Sequence, residues 1–259
     1  MKVDTTGTDL HYTSGRRLCD WYRQPLGQLL AQCEHQALDD VIGELFGYQQ
    51  LTIASPWDYD YRNKGRIQYQ YHLGLGSMRV RDMDIVGAAE ALPIMTDSVD
   101  LLVLPHLLER SDDPHQVLRE ANRCLVSGGH LIIFGFNPFS LWGGWRKLVS
   151  WRGLAPWNKR FYSVFRVKDW LSLLGFDVLQ EQRMFYRPPI NHEPIMRYLG
   201  VMEKIAWPLP TATYMLLAQK RDISFTPIKP TWARVPGMLP TGLVEPSTRG
   251  MQRKGIVDE

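Results

Sequence analysis

His106 stands two residues after the apolar run Val99–Leu104, where a buried strand would give way to a loop. An imidazole titrates near neutrality, so at such a position it can take a proton from a hydroxyl nucleophile. The other role open to His106 is packing at the start of a helix, without chemistry. Asp112 and Asp113 follow, then Pro114, His115 and Gln116. An acid, a proline next to it and a glutamine three residues on form a helix-capping arrangement, so these acids read as caps rather than proton donors. His115 is then the exposed second residue of that helix. Cys19, Cys33 and Cys124 are the only cysteines, and no two are spaced as C-x-x-C. That excludes a disulfide framework and gives no zinc pattern, leaving reduced, mostly buried thiols and no metal.

The elements that would position His106 belong to an α/β chain. The 259 residues are 44% hydrophobic and 22% charged, enough for one sizeable domain plus extra segments. A net charge of +3 is too small to imply nucleic acid by itself. The N-terminal residues lack the apolar stretch of a signal peptide, and no apolar run approaches the ~18 residues of a membrane span. A cytoplasmic setting is the expectation.

Residues 1–23 read as a flexible N-terminus. A helix starting at Pro25 carries Leu26, Leu29, Leu30, Cys33, Ala37, Val41, Ile42 and Leu45 at helical spacing, with Gly47 placed to end it. Leu51–Ala54 suits a first buried strand, Ile67–Leu75 a second and Asp84–Ala88 a third, with little room for a full helix between the first two. Val99–Leu104 reads as a strand covered on both faces. The capped helix follows, with Val117, Leu118, Ala121, Cys124 and Leu125 on its buried side. Gly128-Gly129 permits a reversal before a strand at His130–Phe134. A helix over Val167–Leu174, a strand over Phe176–Met184 and a last strand over Thr213–Gln219 complete the alternation of a doubly wound sheet. Residues 221–259 hold five prolines and four glycines and read as a mobile tail.

Three pieces of sequence then resemble one family. They are Ala89-Glu90-Ala91-Leu92-Pro93 with Asp97-Ser98-Val99-Asp100; Asp113-Pro114 with Leu118-Arg119-Glu120; and Arg123-Cys124-Leu125 leading to Gly128-Gly129. In this order the chain resembles a class I S-adenosylmethionine-dependent methyltransferase of the type-11 group, in a bacterial branch where Gly135-Phe136-Asn137-Pro138-Phe139-Ser140 follows the fifth strand. The resemblance implies a Rossmann-like, mostly parallel seven-stranded sheet with an antiparallel terminal strand and helices on both faces, over residues 24–220. It implies S-adenosylmethionine as cofactor, beside Ala54, Ser55, Pro56, Ala88, Ala89, Glu90 and Pro105, with His106 between cofactor and acceptor.

The chain departs from the family's pattern at three places. Ala54-Ser55-Pro56-Trp57 replaces the glycine loop after the first strand, and Pro56 has no N–H to offer. No carboxylate ends the second strand before Asp82, where the ribose would be held, although Asp58, Asp60, Asp82 or Asp84 could reach in. Ala88 stands where an acid would face the adenine. Each missing charged hydrogen bond is worth roughly 1.5–3 kcal/mol, so two predict cofactor binding on the order of 10²–10⁴ weaker. The activity implied is methyl transfer to a small or lipid-like acceptor. The alternatives are a binding or regulatory module on the same fold, and an RNA-binding or RNA-modifying protein.

Two inserts interrupt the pattern, at 137–168 and 186–211. The first holds seven Lys or Arg, no Asp or Glu, and Trp142, Trp145, Trp151 and Trp157. It reads as a lid over the sheet, as a segment touching anionic lipid, or as a nucleic-acid contact, in that order of preference. In the second, Ile195, Met196, Leu199, Met202, Ile205 and Ala206 at helical spacing suit a packing partner for the lid.

Overall fold

The computed structural model describes residues 17–57, 65–75, 83–149, 160–189 and 211–221. Seven strands form one sheet: β1 Phe46–Ile53, β2 Arg66–Leu75, β3 Ile85–Gly87, β4 Val99–Pro105, β5 Leu125–Phe136, β6 Phe176–Met184 and β7 Thr213–Lys220. Their order is β3-β2-β1-β4-β5-β7-β6. β1 to β5 run parallel, and β7 lies antiparallel between β5 and β6. This is the expected Rossmann-like α/β sheet, with the antiparallel strand that the family resemblance implied. The order turns back between β1 and β4, so the crevice at their carboxyl ends is where this architecture binds ligands.

Helices cover both faces. On one side α1, Pro25–Ile42, packs over Leu101, Val103, Ile132 and Phe134. On the other, α2, Pro114–Cys124, and α4, Val164–Leu173, cover Leu51, Ile53, Leu102, Leu104, Leu131 and Ile133. Alternate residues of β4 and β5 thus feed opposite layers, which is why those strands read as continuous apolar runs. A further helix, α3, Leu141–Val149, follows β5.

Several boundaries differ from expectation for identifiable reasons. α1 stops at Ile42, and Leu45 and Gly47 lie beyond it. Gly47 is a strand residue: a Cβ there would lie 2.5 Å from the Cβ of Asp100. The Asp100 carboxylate instead accepts the Tyr48 and Gln49 N–H groups at 2.9 and 2.8 Å. β1 is longer than Leu51–Ala54 because its first half, with Phe46 and Tyr48, is largely solvent-facing. At Gly128-Gly129 the chain bulges within one continuous strand. Its register with β4 jumps from Val99–Leu125 to Leu101–His130, with Gly128 at φ +76°. α4 begins at Val164 because Ser163 caps it, accepting the Arg166 N–H.

The N-terminal expectation needs correction. Residues 17–22 are helical, and Leu18, Trp21 and Tyr22 are buried in the α1 layer. Most of both inserts' loops, residues 150–159 and 190–210, and the expected tail beyond Arg221 lie outside the described residues. None of the three cysteines forms a disulfide.

Candidate active site

The carboxyl ends of β1 and β4 share an unusual backbone feature. Ala54, immediately after β1, and His106, immediately after β4, both adopt φ +49°. Left-handed backbone at a residue with a Cβ costs roughly 1–2 kcal/mol, and such strain gathers at functional sites. Two neighbouring strands therefore end in matching strained turns at the switch point. The Ala54 turn is the one a glycine would make. Its side chain lies in the α2-side core, so the methyl group does not project into the crevice. The Ala54 carbonyl accepts a hydrogen bond from the buried Arg110 guanidinium at 2.6 Å, and its N–H donates to the Leu73 carbonyl at 2.7 Å. Ser55 closes the next turn through its hydroxyl on the Trp57 carbonyl, 2.8 Å away.

Beneath α1 the His106 ring is sealed at 0% exposure. Its Nε2 lies 2.9 Å from the Glu34 carboxylate, which also accepts the Tyr22 hydroxyl at 3.0 Å. Its Nδ1 is 3.7 Å from Glu109, whose carboxylate accepts the Phe136 N–H at 2.7 Å. Phe136 stacks on the imidazole at 4.1 Å, with Trp57 and Tyr22 closing the sides. Burial would lower the His106 pKa, but the Glu34 and Glu109 carboxylates outweigh it and raise it to about 9. Burial raises Glu34 and Tyr22 above their ordinary values. The two carboxylates make His106 hold its proton more tightly than a free imidazole, and neither ring nitrogen is open to an acceptor molecule.

A cavity of about 330 Å³ opens between this network and the β1 loop, lined by Tyr22, Arg23, Gln32, His35, Ser55 and Trp57 among others. Trp57 fills the inner wall, edge-on to Tyr22, His35 and Phe134, without closing the cavity. Of the residues expected around a cofactor, only Ser55 and Pro56 line it. Glu90 faces α2: its carboxylate accepts the Ser111 hydroxyl and its carbonyl the Gln116 amide. The Ala88 carbonyl accepts the Ala91 N–H, Ala89 is buried, and Pro105 is an interior strand residue.

Tyr22, Glu34, Glu109 and Arg110 had not been singled out from sequence. Glu34 did carry a signal. It lies four residues after Leu30 and four before Leu38, inside the apolar stripe of α1, where an unpaired carboxylate would be expensive. A charged residue at such a position calls for a buried partner.

Comparison with known proteins gives the class. A family described as "Methyltransferase domain" matches residues 69–133. The protein YafS of Escherichia coli, itself described as uncharacterized, is 31% identical over 207 residues, spanning 80% of this chain and 82% of that one. An uncharacterized protein of Mycobacterium tuberculosis is 27% identical over 177 residues, 65% and 60% of the two chains. Among solved structures, a SAM-dependent methyltransferase of Thermotoga maritima, a possible histamine N-methyltransferase, superposes with a TM-score of 0.53 at 20% identity. The match covers 73% of this chain and 89% of that one. A SAM-dependent methyltransferase of Mesorhizobium loti gives 0.50 at 16% identity, covering 72% and 97%. The chain belongs to one family with YafS, carries a match to the methyltransferase-domain family over residues 69–133, and has the fold of the two solved methyltransferases.

S-adenosylmethionine is the cofactor named for both of those solved methyltransferases, and the residues present here fit it in part. The turn at Ala54 has the backbone shape of a glycine turn and opens beside a cavity. Among the described residues, which run through Trp57, no helix begins at this loop. The carboxylates are also missing from the described positions. β2 ends in Leu73-Gly74-Leu75, and the Asp84 carboxylate is taken by the His72 N–H at 2.9 Å. Asp58, Asp60 and Asp82 lie outside the described residues.

Proposed function

We propose that this protein transfers a methyl group from S-adenosylmethionine to a small or lipid-like acceptor, with a cofactor site built from backbone turns rather than carboxylates. The observation that carries this is the pair of left-handed turns at Ala54 and His106, adjacent at the switch point and beside a cavity of about 330 Å³. The cofactor supplies an activated methyl group, so the protein's part is alignment and exclusion of water. Ser55 and Pro56 offer backbone to the cavity wall. Arg110 fixes the carbonyl of Ala54, and the Tyr22–Glu34–His106 network ties α1 to the end of β4. His106 acts here as a positioning residue, through Glu34 and Tyr22.

Thermal unfolding titrated with S-adenosylhomocysteine tests the proposal. Ligand at 100 times its Kd stabilises by about 2.7 kcal/mol. With the missing carboxylates, half-maximal stabilisation is expected near millimolar ligand rather than micromolar. No stabilisation at several millimolar would remove the proposal.

The absence of acidic partners at the described nucleoside positions favours a second function, a binding module that retains the fold without turnover. Saturable S-adenosylhomocysteine binding with ribose and adenine contacts in a co-crystal structure would exclude that alternative.

A further inference from the structure

α3 leaves the carboxyl end of β5, on the same rim of the sheet as the ends of β1 and β4, since these strands are parallel. Its orientation is fixed. Trp142 is fully buried, with its indole N–H donating to the Arg187 carbonyl at 2.7 Å. Gly143 is pressed against Pro138 so closely that a Cβ would fall 1.9 Å from the Pro138 carbonyl oxygen. The helix cannot roll about its axis without breaking these contacts. The outward face is therefore set, and it is apolar: Leu141, Trp145 and Leu148 recur at i, i+4 and i+7 and are 44%, 40% and 69% exposed. Phe139, just before the helix, is 71% exposed.

Such a stripe would normally be turned inward, since exposed apolar residues at helical spacing mark a surface that meets something. The charge around it says what. Arg146 and Lys147 stand in the last turn of α3, and no acid occurs in the sequence from 137 to 168. Leucine and phenylalanine beside lysine and arginine, with a tryptophan at the boundary, match the layered chemistry of an anionic bilayer: acyl chains, carbonyls, then phosphates. A nucleic acid would use the cations and the tryptophan and would leave Leu141 and Leu148 in water.

We infer that Phe139, Leu141, Trp145 and Leu148 form a docking face for anionic membrane lipid, which holds the rim of the sheet against the bilayer. The inference goes beyond methyl transfer and is tested without it. The full chain is co-sedimented with vesicles of phosphatidylcholine alone and of phosphatidylcholine mixed with phosphatidylglycerol, at low and high salt. Binding to the mixed vesicles is expected, weakened by salt, with little binding to phosphatidylcholine alone. Phe139→Glu and Leu148→Glu, at the two most exposed positions of the face, should each weaken it on the order of tenfold or more while leaving thermal unfolding nearly unchanged. A double variant should abolish it. Lack of binding to the mixed vesicles would overturn the inference, as would binding indifferent to both substitutions. Salt-sensitive binding to single-stranded RNA in place of vesicles would also overturn it. S-adenosylhomocysteine binding is unaffected by either result, so this test and the cofactor titration fail separately.

Discussion

Two glutamate–cation pairs serve this molecule in opposite ways. On the α2 side Glu120 and Arg123 sit three residues apart on one helix, 2.9 Å from each other and partly exposed. Together they grip the segment before β4. Glu120 accepts the Leu92 N–H at 2.9 Å, and Arg123 donates to the Leu92 and Ile94 carbonyls at 3.0 and 2.8 Å. On the α1 side Glu34 and His106 are 72 residues apart in sequence, also 2.9 Å from each other, and wholly enclosed. The first pair pins a loop and has water as a fallback. The second joins a helix to a strand end and has none. Equal distances thus conceal unequal consequences, because burial removes the solvent that would compensate a lost partner.

The sharpest way to break the comparison is to remove one member of each pair. Glu34→Ala leaves His106 and Tyr22 buried with a shared partner gone, and a loss of about 3–5 kcal/mol is expected in urea unfolding. Arg123→Ala releases two backbone carbonyls and Glu120 near the surface, with an expected loss of about 2 kcal/mol by the same measurement. If the Arg123 variant were the more damaging, the enclosed pair would not carry the weight given to it.

The pH dependence separates the pairs next. His106 has a folded pKa near 9 against an ordinary value of 6.5, so the folded state holds its proton more tightly. That stabilisation is complete below about pH 6.5 and is lost as pH rises through about 9. Glu34, also raised, by burial, acts in the same direction. The Glu120 carboxyl is lowered, chiefly by its hydrogen bond from Arg123, so its contribution is present above the ordinary glutamate pKa and is lost as pH falls through the lowered value. Melting temperature should therefore fall between pH 7 and 10 in the native chain, and fall less in His106→Phe.

Smaller effects follow. Asp113 caps α2 by accepting the Gln116 N–H at 3.0 Å, and Asp113→Ala should cost about 1 kcal/mol. Ala54→Gly relieves left-handed strain but adds freedom to the unfolded chain. A net change within about 1 kcal/mol is expected, on the stabilising side.

The same contrast explains what could be read from the chain. The Asp113 cap, the β4 and β5 runs and the segments around Leu92 and Arg123 are local patterns, and each was legible. So was the antiparallel seventh strand, once the family resemblance was seen. Glu109 and Arg110 gave no local sign, because their partners come from β5 and the β1 loop. His106 drew notice as a base for its place after a strand. Its enclosure depends on Tyr22, Glu34 and Trp57, which arrive from elements with no sequence proximity to it. The Ala54 turn was hidden for another reason: alanine is an unusual residue at positive φ, and composition rules pass over it.

One topological fact has a consequence for how the molecule comes into being. Among the described residues β7 is the last strand to be made, yet it lies inside the sheet, bonded to β5 on one side and β6 on the other. Until Thr213–Lys220 leaves the ribosome, β5 has an open edge and β6 has, among the described residues, no strand to pair with. Lys220 then fastens the joint, donating to the Asn122 and Leu125 carbonyls at 2.8 and 2.7 Å. The sheet therefore closes only after Thr213–Lys220 has been made. A nascent chain stalled before residue 213 exposes unpaired backbone that chaperones, or other copies, would meet first.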